Sequence, residues 1–212
     1  PHPRRLRPPP PPPYRPTMQS PLAHHLATMA FNNAWANHRL LNSCARLSQA
    51  EFVAPGVSFF PSIKATLNHN LTVDWYYVDA LERAHNGLPR NPDARNFFEP
   101  REPFTTCAEL ATAQRAVDRR LVTLCRQLND ERLALAVPLL RRTGWQVEPT
   151  TRLLAHLFQH QIHHRGQAHA MLAGTSVAPP QLDDFFCAND VGLCTAELAE
   201  LGYDEAELWA NR

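Results

Sequence analysis

The stretch Thr150–Gly174, TTRLLAHLFQHQIHHRGQAHAMLAG, decides how the rest of the chain is read. A helix advances about 100° per residue, so His156, His160 and His164 fall on one stripe, with His163 beside them and Gln167 one turn further on. Thr150 suits an N-cap, no proline interrupts the run, and Gly174 behind Ala173 suits a stop, so the segment reads as a helix of about six turns. Imidazoles four residues apart on one helix can share a metal ion. Leu153, Leu157 and Leu172 flank the stripe, and imidazole facing a core without partners is costly to bury, which favours metal binding over unrelated histidines. The spacing leaves the pairs His156/His160, His160/His164 and His160/His163 open.

A further ligand has to come from another element. The segment from about Pro61 to Ala84 is apolar nearly all round, as suits a helix buried in a bundle, yet it carries His69 and Asp74. His69 is a natural third ligand for a pair on the later helix. Asp74 reads as a carboxylate that orients a ligand histidine or pairs with Arg165.

Working outward, Ser20 and Pro21 open a helix through about Leu47, with Leu22, Leu26, Met29, Ala30, Leu40, Leu41 and Cys44 as its apolar positions and Asn33-Ala34-Trp35-Ala36-Asn37 at its middle. Trp35 there reads as core, and His24, His25 and His38 as exposed or capping side chains. Ser48–Glu51 forms a capping-box pattern, followed by a loop marked by Pro55-Gly56 and Phe59-Phe60-Pro61. Residues 85–104 read as a long surface connection. Thr106–Glu109 is a second capping box, opening a helix to about Asn129 with Leu110, Ala113, Val117, Leu121, Leu124, Cys125 and Leu128 on one stripe and charges on a solvated face. Residues 130–149, with Pro138 and Gly144, predict a short hairpin or irregular crossover. Beyond Gly174 come an extended segment with Phe185-Phe186 and two short helices, near Thr195 and at Asp204–Glu207. The expected fold is all-α, a four-helix bundle with long crossovers and short C-terminal helices. Its parts are a disordered Pro/Arg-rich extension over 1–17, the bundle over 18–186 and a helical tail over 187–212.

Composition narrows the function. The formal charge of +1 includes Arg4, Arg5, Arg7 and Arg15 in a segment without acids, so the chain from Met18 onward stands at −3. A mildly acidic domain argues against an electrostatic nucleic-acid binder. The five cysteines are scattered without a CxxC pair and read as reduced thiols of a cytoplasmic protein. No apolar run is long enough for a membrane span. Nine of the 20 prolines lie in residues 1–17, and Met18 reads as the functional start.

His69 with Asp74, Asn33 to Asn37, and above all His160-Gln161-Ile162-His163-His164-Arg165-Gly166-Gln167 together resemble the DinB/YfiT-like family of metal-binding helical bundles, from Met18 to about Phe186. That family shares only its damage-inducible name with a DNA polymerase. The resemblance implies one divalent ion, zinc or nickel before iron, on His69, His160 and His164. It leaves His156 as a neighbour of the site and Asp74, Arg165 and Gln167 as orienting residues. It also implies a metal-dependent enzyme of thiol S-transferase or hydrolase type acting with a small-molecule thiol, and a homodimer, with no nucleic-acid or membrane partner. The alternative is a non-catalytic, stress-associated metal-binding bundle working as an oligomer or with a partner. Asp74 lies about 140° around its helix from His69, so no general base is evident.

Overall fold

A computed structural model of the protein describes residues 19–209, so the extension expected over 1–17 lies outside the described residues. Four long helices make the body: α1 (Pro21–Cys44), α3 (Ile63–His85), α4 (Cys107–Arg126) and α6 (Thr150–Leu172). Short α2 (Gln49–Val53) and α5 (Asp130–Ala134) sit in the connections, and α7 (Val191–Leu201) and α8 (Glu205–Leu208) follow the body. Contacts run α1 to α4, α4 to α3, α3 to α6 and α6 back to α1, which closes a four-helix ring around one apolar core. The fold is all-α apart from one hairpin.

Local chemistry sets most of the boundaries. Ser20, Ser62 and Thr106 each accept a backbone N–H of the first turn of α1, α3 and α4, and Ser48 and Thr106 complete reciprocal capping boxes with Glu51 and Glu109. The connection over 85–104 contains a 3-10 turn, Ala94–Phe98. The crossover before α6 is α5 followed by an antiparallel hairpin, β1 (Ala136–Arg141) and β2 (Gly144–Pro149), with Arg141 opposite Gly144. Val137 and Leu139 turn inward, and the hairpin docks on α3: Tyr76 donates its hydroxyl to the Leu140 carbonyl at 2.9 Å, and Arg141 donates to the Tyr77 hydroxyl at 3.0 Å.

Several expectations need correction. Thr150 is the first helical residue of α6 and Pro149 occupies the cap position. The Thr150 hydroxyl donates to the Leu135 carbonyl and accepts from His85 Nε2, because that helix end is buried and its side chain is drawn to α5 and α3. Leu22 is half exposed, whereas His38 is buried and pairs with Glu200 at 2.9 Å. Trp35, off the apolar stripe of α1, has no exposed surface, because α7 covers the face that a bare bundle would leave to solvent. Arg39 forks onto Glu197 at 2.7 and 2.8 Å, the Trp35 indole donates to the same carboxylate at 3.1 Å, and Arg126 of α4 forks onto Glu207 of α8. Phe185, in the segment read as extended beyond Gly174, is wholly buried against Trp35 and Trp209 of its own chain. The turn that ends α7 needs a left-handed residue, and Gly202 supplies it at φ +76°.

Candidate metal centre

The α3–α6 seam brings His69, His160 and His164 together, each offering a ring nitrogen within 4.8 Å of the others. His69 Nε2 lies 3.0 Å from His160 Nε2. Nitrogens sharing a tetrahedral ion at 2.0–2.1 Å stand about 3.3 Å apart, so the donors are already close to ligating separation. His164 closes the group, its ring 4.8 Å from that of His69 and 4.5 Å from that of His160. No cysteine, aspartate or glutamate among the described residues joins the three.

Electrostatics keep the donors neutral. Burial pulls His69 down to about 4, helped by His164, and burial pulls His160 down to about 3, helped by the neighbouring histidines. His164 is lowered by burial as well, against the hydrogen bond it donates to Gln167, which raises it. That bond fixes a tautomer. An amide oxygen only accepts, so His164 Nδ1 carries the proton it donates to Gln167 Oε1 at 2.8 Å, and the Nε2 lone pair is left for a ligand. The Gln167 amide then donates to His163 Nε2 at 3.1 Å, holding the exposed His163 ring beside the group and outside it. Three neutral imidazoles with converging lone pairs are a donor set that suits a divalent ion of borderline softness.

The other residues singled out from the sequence lie apart. His156 is exposed, its ring 6.1 Å from that of His160 and edge-on to Tyr77 at 5.5 Å. Arg165 follows His164 in sequence but turns toward α1, where its Nη1 donates to Asn33 Oδ1 at 2.8 Å and Asn37 Oδ1 at 2.9 Å. Asp74 makes no hydrogen bond to the three histidines; its Oδ2 accepts from Gln114 Nε2 at 2.7 Å. Gln114 also donates to Asp118, which accepts from both asparagine amides. All four long helices therefore meet in one buried polar network. Burial pushes Asp74 up to about 7 and Asp118 well above the carboxylate range, and burial lowers Arg165 to about 10.

Asp118 and Gln114 escaped the sequence reading, which placed the charges of α4 on a solvated face; Asp118 is 4% and Gln114 3% exposed. A signal was present. Gln114 and Asp118 lie four and eight residues after Leu110, on the same inward stripe as Val117 and Leu121. Asn33 and Asn37 share the i, i+4 spacing on α1.

A helical bundle with three neutral histidines gathered between two of its long helices has a donor set compatible with metal binding. The DinB family model matches residues 18–189, and the chain belongs to that family. Among solved structures it is similar to a DinB-like protein from Bacillus cereus ATCC 10987, at 17% identity and a TM-score of 0.52, over 70% of this chain and 89% of that one. A likeness at this identity concerns the fold. A comparison with curated proteins finds no match. The helices α7 and α8 lie beyond the segment that the family model matches. Among the described residues no helix is long and apolar enough to cross a membrane.

Proposed function

We propose that the protein binds one divalent ion, zinc or nickel before iron, on His69, His160 and His164, and uses it as an enzyme of thiol-transferase or hydrolase type. The observation that carries this reading is the convergence of three neutral ring nitrogens with no fourth protein donor in the group. Three protein ligands leave coordination positions for water or substrate, which is the pattern of catalytic sites. An ion held there would lower the pKa of a thiol or water bound beside it.

The chain's own residues do the rest. Gln167 holds His164 in the ligating tautomer, and partial burial keeps His69 and His160 uncharged at neutral pH, so neither ring has to shed a positive charge before an ion enters. The five cysteines are all free and none joins the histidine group, so no thiol of the described residues competes for the ion.

Metal content by mass spectrometry tests the reading, on the wild type and on His69→Ala, His160→Ala, His164→Ala and a His163→Ala control. About one ion per chain, lost in the first three variants and kept in the control, is the expected result. A wild type that takes up no ion after reconstitution sinks it.

A further inference from the structure

The loop over 54–62, between α2 and α3, stands beside the histidine group with its apolar side chains outward. The Gly56 N–H donates to the Pro61 carbonyl at 2.8 Å, which ties its two ends. Between them Val57 is fully exposed and Phe59 is 78% exposed. Large apolar side chains this open to water gain most from an apolar neighbour. Their surface is continuous with the donor group: the Phe60 ring lies 4.4 Å from that of His69 and 5.3 Å from that of His164, and the Phe59 ring lies 6.3 Å from His164.

On its other flank the same loop borders a cavity of about 330 Å³ walled by Val57, Ala54, Ile63 and Met171, with Glu51 and Thr175 at its polar side. Met171 is seven residues beyond His164, on the same stripe of α6 and about 10 Å further along its axis. At Gly56 the loop backbone rests on that helix so closely that an added Cβ would stand 2.7 Å from Met171 Sδ. Histidine group, apolar loop and cavity thus follow one another along a single helix face.

We propose that the Val57–Phe60 loop is the specificity element of this site: it receives the apolar or aromatic body of a small substrate whose thiol head is held at His69, His160 and His164, with the cavity at Met171 taking the far end. This rests on the proposed function and narrows it, from small thiols in general to thiols carrying a body of roughly two helix turns in length, about 10 Å. A second copy of the chain is a poorer occupant. Val57 and Phe59 offer two side chains, against the about 800 Å² per partner that a stable interface buries, and a molecule covering Phe59 also meets His164.

The test uses the full chain loaded with Co(II), titrated with 2-mercaptoethanol and with 2-phenylethanethiol while the thiolate-to-cobalt absorption is followed. Binding exchanges a coordinated water for the thiolate and releases the thiol proton to buffer, so the two probes differ only in what lies behind the sulfur. The phenyl thiol is expected to bind at least about tenfold tighter, from burial of its ring. Val57→Ser and Phe59→Ser are expected to abolish that preference while leaving the cobalt d–d spectrum and the 2-mercaptoethanol affinity unchanged, and Phe59→Leu to retain most of it. Equal affinity for the two thiols in the wild type, or a preference that survives both serine variants, overturns the inference and leaves the metal site standing. Cobalt bound without a thiolate band from either probe overturns the thiol reading itself. A dimer in sedimentation that Phe59→Ser dissociates, with the preference intact, reassigns the loop to self-contact.

Discussion

Two polar clusters sit back to back on α6, and neighbours in the sequence belong to different ones. His164 faces α3 with His160 and His69; Arg165 faces α1 with Asn33, Asn37 and, beyond them, Asp118, Gln114 and Asp74. In the first, the nitrogens of three neutral rings come together, His69 Nε2 and His160 Nε2 at 3.0 Å, and these two rings are only partly buried. In the second, donors and acceptors are used on one another, Asp74 Oδ1 apart, and every member is at least nine-tenths buried. The difference separates a site from a strut. Polar groups tied across four helices fix how those helices meet, whereas ring nitrogens gathered in one place with few partners of their own are a donor set for an ion.

The largest effect that sharpens this contrast comes from Arg165→Met. It leaves the two asparagine carbonyls without a donor and the buried carboxyls without their cation, so urea unfolding is expected to show a loss of about 3–5 kcal/mol. His160→Ala in the metal-free protein is expected to cost far less, about 1 kcal/mol or below, since it relieves crowded imidazoles. Equal losses would break the division between strut and site.

Gln167→Ala is next. The variant frees His164 to take the other tautomer, and the metal affinity read by competition with a chelator dye is expected to fall about 10–100-fold, with stability little changed. An unchanged affinity would mean that helix packing alone orients the ring.

The smallest effect is a slope. Burial holds Asp74 up to about 7 and lifts Asp118 well above the usual carboxylate range, so the folded protein keeps protons that the unfolded chain releases above about 4. Their contribution to stability is fully present below that unfolded value and is lost as pH rises through about 7. Melting temperatures of the metal-free protein are expected to decline between pH 5 and 8, and Asp74→Asn to flatten the decline. A variant with the wild-type slope would place the bound proton elsewhere.

Much of this was legible before any coordinates. Ser20 and the Thr106 capping box opened α1 and α4, Pro138 and Gly144 marked a hairpin or irregular crossover, and a stripe of histidines on α6 with one histidine on α3 pointed to the candidate metal centre. Those features obey local rules, in which a residue's neighbours in sequence are its neighbours in space. The Arg165 network was half visible. Asp74 was paired with Arg165 as one option, but Asp118 was taken for a surface charge, because a stripe of mixed character does not say what will cover it.

What the sequence determined by itself is the four long helices, the caps of α1 and α4 and the spacing that puts His160 and His164 on one face. Which way Arg165 turns, the burial of Trp35 and Phe185 under the C-terminal helices, and the placing of Phe59 and Phe60 over the histidines were decided only by tertiary packing. The reason is physical: a helix fixes the angle between its side chains by its own hydrogen bonds, whereas the surface each one meets belongs to segments dozens of residues away.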